Sequence, residues 1–364
     1  MSSAKQRAYK LWTVPKDMLP FQLESGEKLH ELEVAYHTFG SLNEARSNAV
    51  LVLHAFSGDS NAMKWWYTMV GPGKPIDTDK YFVICSNVLG GCSGTTGPAS
   101  INPQTNKPYG FSFPIPSIRD MVRVQALLLD HLNVKKLIAA IGGSMGGMQA
   151  LEWAKTFPDR LKSSIVIAST TRLSPQNIGF HVVGRNAIMS DPNWNGGDYH
   201  EHGGPKKGLS IARMLGHITF LSEEAMYEKF GRKVRKHGRN SPLSFGEEHE
   251  VESYLWHQGS KFVERFDAAT YLLLTKTMDY FDFSDGYNSL EEAFAASSCD
   301  FLIISFTSDW LFPTEQSRDM YRALLRAKKS VTFREIETNK GHDSFLLPNP
   351  EMEDLVRAYL EARR

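Results

Sequence analysis

The residues most suited to chemistry lie at the pattern G-x-S-x-G, which spans Gly142 to Gly146 and has Ser144 at its centre. A short apolar run of strand type precedes the pattern, and residues at helical spacing follow it. A serine on a tight strand-to-helix turn needs small neighbours, because larger side chains would collide with the turn. The helix start also favours negative charge that develops beside the serine. The context predicts a nucleophile; the alternative is a glycine-rich turn that contains a serine.

A serine hydroxyl is a weak nucleophile at neutral pH and needs a histidine base, which a carboxylate orients. When the serine lies on a turn of this type, the chain order is serine, then acid, then histidine. Asp309 follows the apolar run FLIISF, and His342 follows the last predicted strand. Of the 12 histidines, only His342 comes after Asp309 and satisfies the order. Asp300, at the beginning of the same strand as FLIISF, is the alternative acid.

An acyl-transfer site also needs two backbone N–H donors for the oxyanion that forms on the carbonyl oxygen. The residue after the nucleophile, Met145, is expected to supply one of them. The second is expected from the loop His54 to Asp59, which follows an earlier strand, and Phe56 is the predicted residue within it. Topology alone gives this pair, because backbone donors leave no side-chain signature.

The elements that must position these groups alternate between strands and helices. Helical patterns run from Ser117 to Leu132, with Ser117 as a candidate N-cap and Asp120 three residues later, and from Met145 to Phe157. This alternation predicts an α/β fold of the α/β-hydrolase type, with a mostly parallel central sheet flanked by helices. The predicted strands are Ala49 to His54, Tyr81 to Ser86, Lys136 to Ile141, Ser163 to Ala168, Phe301 to Phe306 and, more weakly, Val331 to Ile336.

Strand patterns are absent between about Thr171 and Ser297, and they return at Phe301. We expect this segment to form a helical lid over the carboxyl ends of the strands, the edge at which α/β sheets place their ligands. The predicted organisation is a first part of the core at 1–170, the lid at 171–297 and a second part of the core at 298–364. Helical patterns within the lid lie around Leu209 to Leu221, Glu223 to Phe230 and Lys261 to Thr277.

The composition excludes some classes of function. Lys+Arg and Asp+Glu both number 41 in 364 residues, so nothing favours nucleic acid or an anionic membrane as a partner. Cys85, Cys92 and Cys299 are too few and too scattered for a disulfide framework, and the N-terminal sequence has no signal-peptide pattern, so a cytoplasmic location is expected. His200 and His202 lie in a polar loop without a third ligand at a recognisable spacing, and we expect neither a metal nor a cofactor.

Longer stretches resemble the homoserine O-acyltransferases, and among them the acetyl-transferring members. These stretches are HAFSGDS, WWYTMVGPGKPIDT, NVLGGCSGTTGP, GGSMGGMQALEWA, VGRNAIMSDPNW, ARMLGHITFLS, TSDWLFP and GHDSFL. The resemblance runs from about Leu32 to Leu347. It implies an enzyme of methionine biosynthesis that moves an acetyl group from acetyl-CoA to the hydroxyl of L-homoserine through an acyl-serine. It also implies a homodimer.

The resemblance assigns roles to individual residues. Ser144, Asp309 and His342 match the family's catalytic residues. Arg185 matches the arginine that binds the homoserine carboxylate, a role that suits the planar guanidinium fork. Asp343 matches the acid that receives the α-ammonium of homoserine.

Several alternatives remain open within this resemblance. The loop before the pair Trp65 and Trp66 is shorter than is usual in the family, so succinyl-CoA is an alternative donor. L-Serine is an alternative acceptor. A serine esterase would carry the same three catalytic residues and the same oxyanion donors.

Overall fold

A computed structural model of the chain describes residues 9–201, 203–235 and 248–364. Its centre is an eight-stranded sheet in the order β1-β2-β4-β3-β5-β6-β7-β8. Strand β2 runs antiparallel to both of its neighbours, and the other adjacent pairs are parallel. The predicted α/β-hydrolase fold class is confirmed. The strands are β1 Lys10–Thr13, β2 Glu33–Phe39, β3 Ala49–Leu53, β4 Phe82–Ser86, β5 Leu137–Gly143, β6 Leu161–Ile167, β7 Asp300–Phe306 and β8 Val331–Ile336.

Side chains of the central strands alternate between two hydrophobic cores, one on each face of the sheet. In β3, Leu51 and Leu53 belong to one core, whereas Val50 and Val52 belong to the other. Both faces are covered, which explains why these strands appear in the sequence as continuous apolar runs. The helices are α1 Ala62–Trp65, α2 Ile118–His131, α3 Met145–Thr156, α4 Pro175–Met189, α5 Lys206–Phe220, α6 Glu223–Phe230, α7 Glu250–Val263, α8 Ala268–Asp279, α9 Leu290–Ala295, α10 Thr314–Arg326 and α11 Pro350–Glu361.

Helices α2, α3 and α10 contribute buried residues to the first core, and α1 and α11 contribute to the second. Helix α2 begins where the sequence predicts, because Ser117 and Asp120 form a capping box. The Ser117 hydroxyl accepts a hydrogen bond from the Asp120 N–H, and the Asp120 carboxylate accepts one from the Ser117 N–H.

The chain between β6 and β7 carries α4 to α9, and we call these six helices the helical insertion. None of the described residues of the insertion contributes a strand to the central sheet. One predicted helix, Lys261 to Thr277, is instead two helices, α7 and α8. They separate where the Asp267 carboxylate accepts a hydrogen bond from the Thr270 N–H and caps α8.

Several elements were not predicted, namely strands β1 and β2 and helices α1, α4, α9, α10 and α11. Strands β1 and β2 form the antiparallel edge of the sheet, and polar residues flank or interrupt the apolar residues in both of them. Helix α4 was also missed, although Ser174 at the N-cap and Pro175 at the first helical position are a recognisable helix start. In the described part of the chain, no helix is both long and apolar enough to cross a membrane.

Candidate active site

Ser144 lies on the turn between β5 and α3, with φ 57° and ψ −124°. Positive φ is unfavourable for a residue with a side chain, so the surrounding structure must impose this conformation. The Ser144 N–H donates to the Ile167 carbonyl at 3.0 Å, and the Ser144 carbonyl accepts from the Ser169 hydroxyl at 2.7 Å. These bonds connect the turn to β6 and the loop that follows it.

The backbone around Ser144 leaves no room for a side chain at positions 142 and 146. A Cβ at position 142 would lie 2.5 Å from the carbonyl carbon of Gly146. A Cβ at position 146 would lie 2.1 Å from the Leu53 carbonyl oxygen at the end of β3. Both distances are too short for a real Cβ contact. A side chain at either position would collide with the backbone, as predicted from the small residues on this turn.

His342 lies in a short 3-10 helical segment after β8, and Asp309 lies in the loop after β7. The two residues are joined by a hydrogen bond of 2.8 Å between His342 Nδ1 and Asp309 Oδ2. The other carboxylate oxygen of Asp309 accepts from the N–H groups of Leu311 and Phe312 at 3.0 and 2.8 Å. Asp309 is therefore held by its own loop, with one oxygen reserved for the histidine.

The alternative acid, Asp300, lies at the opposite end of β7. Its carboxylate is paired with Arg363 at 2.9 Å. The structure thus brings Asp309 to His342 and separates Asp300 from it. Since a carboxylate accepts hydrogen bonds only, the Asp309 contact fixes the proton of a neutral His342 on Nδ1 and leaves Nε2 as the base.

His342 is buried, and its ring stacks on Phe312 at a centroid distance of 5.0 Å. Burial lowers the pKa of His342, but the charge and hydrogen bond of Asp309 and the charge of Asp343 outweigh it. The net effect raises the pKa of His342 above its ordinary value of 6.5. The arrangement therefore stabilises the imidazolium that forms when the base accepts a proton.

Ser144 and His342 line the same cavity, which lies between the sheet and the helical insertion. Within the described residues, the Ser144 hydroxyl makes no direct hydrogen bond to His342; catalytic contacts are often longer before substrate binds. Helices α4, α5 and α8 form much of the remaining wall. Their side chains include Asn177, Phe180, His181, Arg213, Thr219, Phe220, Tyr271, Thr275 and Met278.

The predicted oxyanion residues lie at the same cavity. Phe56 is part of its wall, and Met145 is the first residue of α3, where helix N–H groups have no partner within the helix. The loop of Phe56 is held by His54, whose Nε2 accepts from the Val88 N–H at 3.1 Å. That bond places the proton on Nδ1, which donates to the Ala55 carbonyl at 2.8 Å. Burial lowers the pKa of His54 and keeps its ring neutral.

Arg185 does not line the cavity. Its Nη1 lies 2.8 Å from Asp279 Oδ2, as an ion pair without hydrogen-bond alignment. The other oxygen of Asp279 accepts from His181 Nδ1 at 2.7 Å, and His181 does reach the cavity. Arg185 therefore neutralises a buried carboxylate that positions a cavity histidine.

Among the described residues, Arg213 on α5 is the arginine that lines the cavity, and it was not predicted from the sequence. Its guanidinium lies over the rings of Phe262 and Phe220, at 4.6 and 5.5 Å from their centroids. Burial and the nearby Arg265 lower its pKa to about 10, which indicates a cation with too little negative charge around it. The stretch ARMLGHITFLS contains Arg213 and is one of the stretches that carry the family resemblance. It was the feature of the sequence from which this residue could have been predicted.

Asp343 lines the same cavity beside His342. Burial raises its pKa, although His342 and Arg213 both act in the opposite direction. The cavity thus contains the predicted nucleophile, the predicted base and two oppositely charged side chains, Arg213 and Asp343. This set suits acyl transfer involving a small zwitterion.

Other candidate groups lie elsewhere. Trp66 is fully buried and donates to the Phe345 carbonyl at 2.7 Å, so it packs and does not line the cavity. His200 stacks on Tyr199, and His202 lies outside the described residues. Across 9–201, 203–235 and 248–364, no cluster of three or more His, Cys, Asp or Glu side chains is arranged to hold a metal ion.

Comparison with known proteins shows the family to which the chain belongs. Residues 48–348 match the α/β-hydrolase fold family. The chain is 52% identical over 353 residues to a homoserine O-acetyltransferase of Rhodospirillum rubrum, covering 94% of this chain and 90% of that protein. It is 51% identical over 354 residues to a homoserine O-acetyltransferase of Mesorhizobium japonicum, again covering 94% and 90%.

Solved structures of two kinds superpose on nearly the whole chain. A homoserine O-acetyltransferase from Bacillus anthracis gives a TM-score of 0.89 at 28% identity, covering 98% of both chains. Esterase E22 gives a TM-score of 0.86 at 28% identity, covering 97% of this chain and 100% of that one. One backbone therefore accommodates both transfer and hydrolysis.

Proposed function

Since this chain belongs to the homoserine O-acetyltransferases, enzymes of the α/β-hydrolase fold, we propose that it transfers the acetyl group of acetyl-CoA to the hydroxyl of L-homoserine by a two-step mechanism. The observation that carries the mechanism is the shared cavity. It holds Ser144 and the Asp309-bound His342 together with Arg213 and Asp343, one charge for each end of an amino acid.

In the first half-reaction, Ser144 Oγ attacks the thioester carbonyl carbon while His342 Nε2 accepts the hydroxyl proton. The backbone N–H groups of Phe56 and Met145 stabilise the oxyanion. The C–S bond then breaks, and His342 returns its proton to the departing sulfur of CoA. The products are acetyl-Ser144 and free CoA, and no cofactor is needed.

In the second half-reaction, the hydroxyl of L-homoserine attacks acetyl-Ser144 and gives its proton to His342, which passes it to Ser144 Oγ as the ester bond breaks. We assign the acceptor's ammonium to Asp343, as the resemblance implies. For the carboxylate we favour Arg213 over Arg185, because Arg213 lines the cavity whereas Arg185 is engaged with Asp279. O-Acetylhomoserine, the expected product, would enter methionine biosynthesis.

Hydrolysis is the rival outcome, because water can replace the acceptor in the second step. The observation that favours hydrolysis is the structural similarity to esterase E22. The walls that the helical insertion adds to the cavity shield the acyl-enzyme from water, but esterase E22 superposes over the same residues, so these walls do not decide between the two outcomes. Transfer is favoured by Arg213 and Asp343, which a simple esterase substrate would not require.

A homodimer in the cytoplasm completes the proposal. Helices α4 and α5 pack against each other and expose apolar side chains, a surface that favours association with a second copy. These side chains are Val182, Val183 and Met189 on α4, and Ile211 and Ile218 on α5.

The test is product identification by mass spectrometry. The enzyme is incubated with acetyl-CoA or succinyl-CoA, each with no acceptor, with L-homoserine and with L-serine. We expect O-acetylhomoserine as the main product, and a single acetyl adduct on the peptide containing Ser144 when the acceptor is omitted. In the Ser144→Ala variant both signals should fall by several orders of magnitude.

Each alternative gives a different result. Release of CoA at the full rate without an acceptor identifies a hydrolase. Faster reaction with succinyl-CoA or with L-serine reassigns the donor or the acceptor. The absence of any adduct under rapid quench, with transfer intact, contradicts the acyl-serine mechanism.

A further inference from the structure

Tyr271 has a side chain that the mechanism above does not use. It lies on α8, and the positions at helical spacing after it, Thr275 and Met278, line the same cavity. One face of α8 therefore forms a wall of the cavity. The Tyr271 ring meets the ring of Phe56 edge-on, with a centroid distance of 5.1 Å. Tyr271 is thus next to the predicted oxyanion loop.

The hydroxyl of Tyr271 lies where a side chain at position 184 would otherwise be, because that residue is a glycine. On α4, Asn177, Phe180 and His181 face the cavity, and Gly184 is the next position on that side of the helix. A Cβ at position 184 would lie 2.4 Å from the Tyr271 hydroxyl oxygen. Any larger residue at position 184 would therefore displace this hydroxyl.

The Tyr271 hydroxyl has no hydrogen-bond partner among the residues that the structure describes. It is not one of the fully enclosed polar atoms, so it is accessible from the cavity that Tyr271 lines. A polar group in the wall of a largely apolar cavity can orient a ligand by a hydrogen bond. Burial raises the pKa of Tyr271 to about 12, so the group keeps its proton at neutral pH and can donate it in a hydrogen bond.

The charges around this hydroxyl are Arg185, Arg213 and Asp279. Asp279 is paired with Arg185, whereas Arg213 forms no ion pair with a carboxylate among the described residues. Positive potential attracts an anionic ligand group and repels an ammonium. Among the groups of the two substrates that must enter this cavity, the carboxylate of the amino acid fits best.

We infer that the Tyr271 hydroxyl donates a hydrogen bond to the carboxylate of the amino-acid acceptor, beside Arg213, and so contributes to the choice of acceptor. The inference rests on the proposed function, since it presumes an amino-acid acceptor. It adds a second contact for the carboxylate, contributed by α8 and made possible by the glycine at position 184.

The experiment compares two acceptors in wild-type enzyme and in Tyr271→Phe, which removes one oxygen atom and keeps the ring. L-Homoserine has the carboxylate, and 3-aminopropan-1-ol has the same hydroxyl and amine without it. The rate at which each acceptor discharges preformed acetyl-Ser144 is measured. We expect Tyr271→Phe to lose about tenfold to a hundredfold in kcat/KM for L-homoserine, the range for a hydrogen bond to a charged group. The rate with 3-aminopropan-1-ol and the acylation of Ser144 should be unchanged.

Tyr359→Phe is the matched control. The Tyr359 hydroxyl likewise has no hydrogen-bond partner among the described residues, but it is fully enclosed and lies on α11, away from the cavity. This variant should behave as wild type with both acceptors. Melting temperatures of both variants would show that each remains folded.

An equal loss with both acceptors, or a loss in acylation, would mean that Tyr271 supports the structure or the oxyanion loop and would overturn the inference. Unchanged transfer to L-homoserine in Tyr271→Phe would overturn it alone and leave the proposed function intact. A wild-type enzyme that forms acetyl-Ser144 but transfers nothing to L-homoserine would overturn both.

Discussion

At the scale of single residues, His342 has two carboxylates near its imidazole, and together they determine its response to pH. Asp309 binds Nδ1, and Asp343 contributes additional negative charge. Although burial lowers the pKa of His342, these carboxylates raise it above 6.5. The base works only when neutral, so kcat/KM for acetyl-CoA should rise with pH through a midpoint above 6.5.

The Asp343→Asn variant tests the source of this shift. Removing the negative charge destabilises the imidazolium, so the pKa of His342 should fall and the midpoint should move to lower pH. The measurement is the pH dependence of Ser144 acylation by acetyl-CoA, a step that does not require the acceptor. A midpoint that stays in place would show that Asp309 alone raises the pKa.

The two arginines should differ in what they affect. Arg213→Ala should raise the activation free energy for discharge of acetyl-Ser144 by L-homoserine. The expected increase is about 2–5 kcal/mol, the range for losing one partner of a desolvated charge pair. Acylation should change little, and Arg213→Lys should rescue only part of the loss, because an ammonium cannot form the guanidinium fork. Single-turnover rates of the two half-reactions make this comparison.

Arg185→Ala should instead reduce stability, by about 3–5 kcal/mol, because the buried Asp279 loses its cationic partner. Thermal or urea unfolding measures this loss. If Arg185→Ala stays fully stable and selectively slows the discharge step, the carboxylate role returns to Arg185.

At the scale of elements, the turn between β5 and α3 depends on close backbone contact with β3. In Gly146→Ala the new methyl group would have to move away from the Leu53 carbonyl oxygen, which lies 2.1 Å from the ideal Cβ position. We expect a lower melting temperature and a large loss of Ser144 acylation, because the turn that carries the nucleophile must shift. Gly179→Ala, in the second turn of α4, is the control, because a Cβ there would meet no atom within 4 Å beyond the backbone of its own helix. It should be about 1 kcal/mol more stable than wild type. Equal behaviour of the two variants would refute the steric argument.

At the scale of the whole molecule, the exposed apolar side chains of α4 and α5 predict association. We expect sedimentation equilibrium to give the mass of a dimer for wild type, and that of a monomer for the double variant Val183→Glu and Ile211→Glu. These two side chains are 54% and 49% exposed in the single chain, so the substitutions should not disturb its core. Leu325→Glu, on α10, is a control at a residue that is 50% exposed and away from this surface. A wild-type monomer, or a dimer that the double variant leaves intact, would contradict the proposed interface.

The sequence by itself determined the fold class and the residues around Ser144. The turn of the nucleophile is a local backbone problem, and Gly142 and Gly146 reveal it because few other residues fit. The order of Ser144, Asp309 and His342 follows from topology, since each lies after the carboxyl end of a parallel strand. Buried parallel strands are also easy to recognise, because both of their faces are apolar.

Only the tertiary structure decided which charged and polar side chains face the cavity. Arg185 and Arg213 lie on helices of the insertion, and the rotation and packing of those helices determine which arginine lines the cavity and which pairs with Asp279. Tyr271 appears in the sequence as an ordinary core tyrosine, and its importance depends on the space above Gly184, on a different helix. Helical periodicity gives the separation of residues around one helix, but it does not give the direction in which that helix is turned.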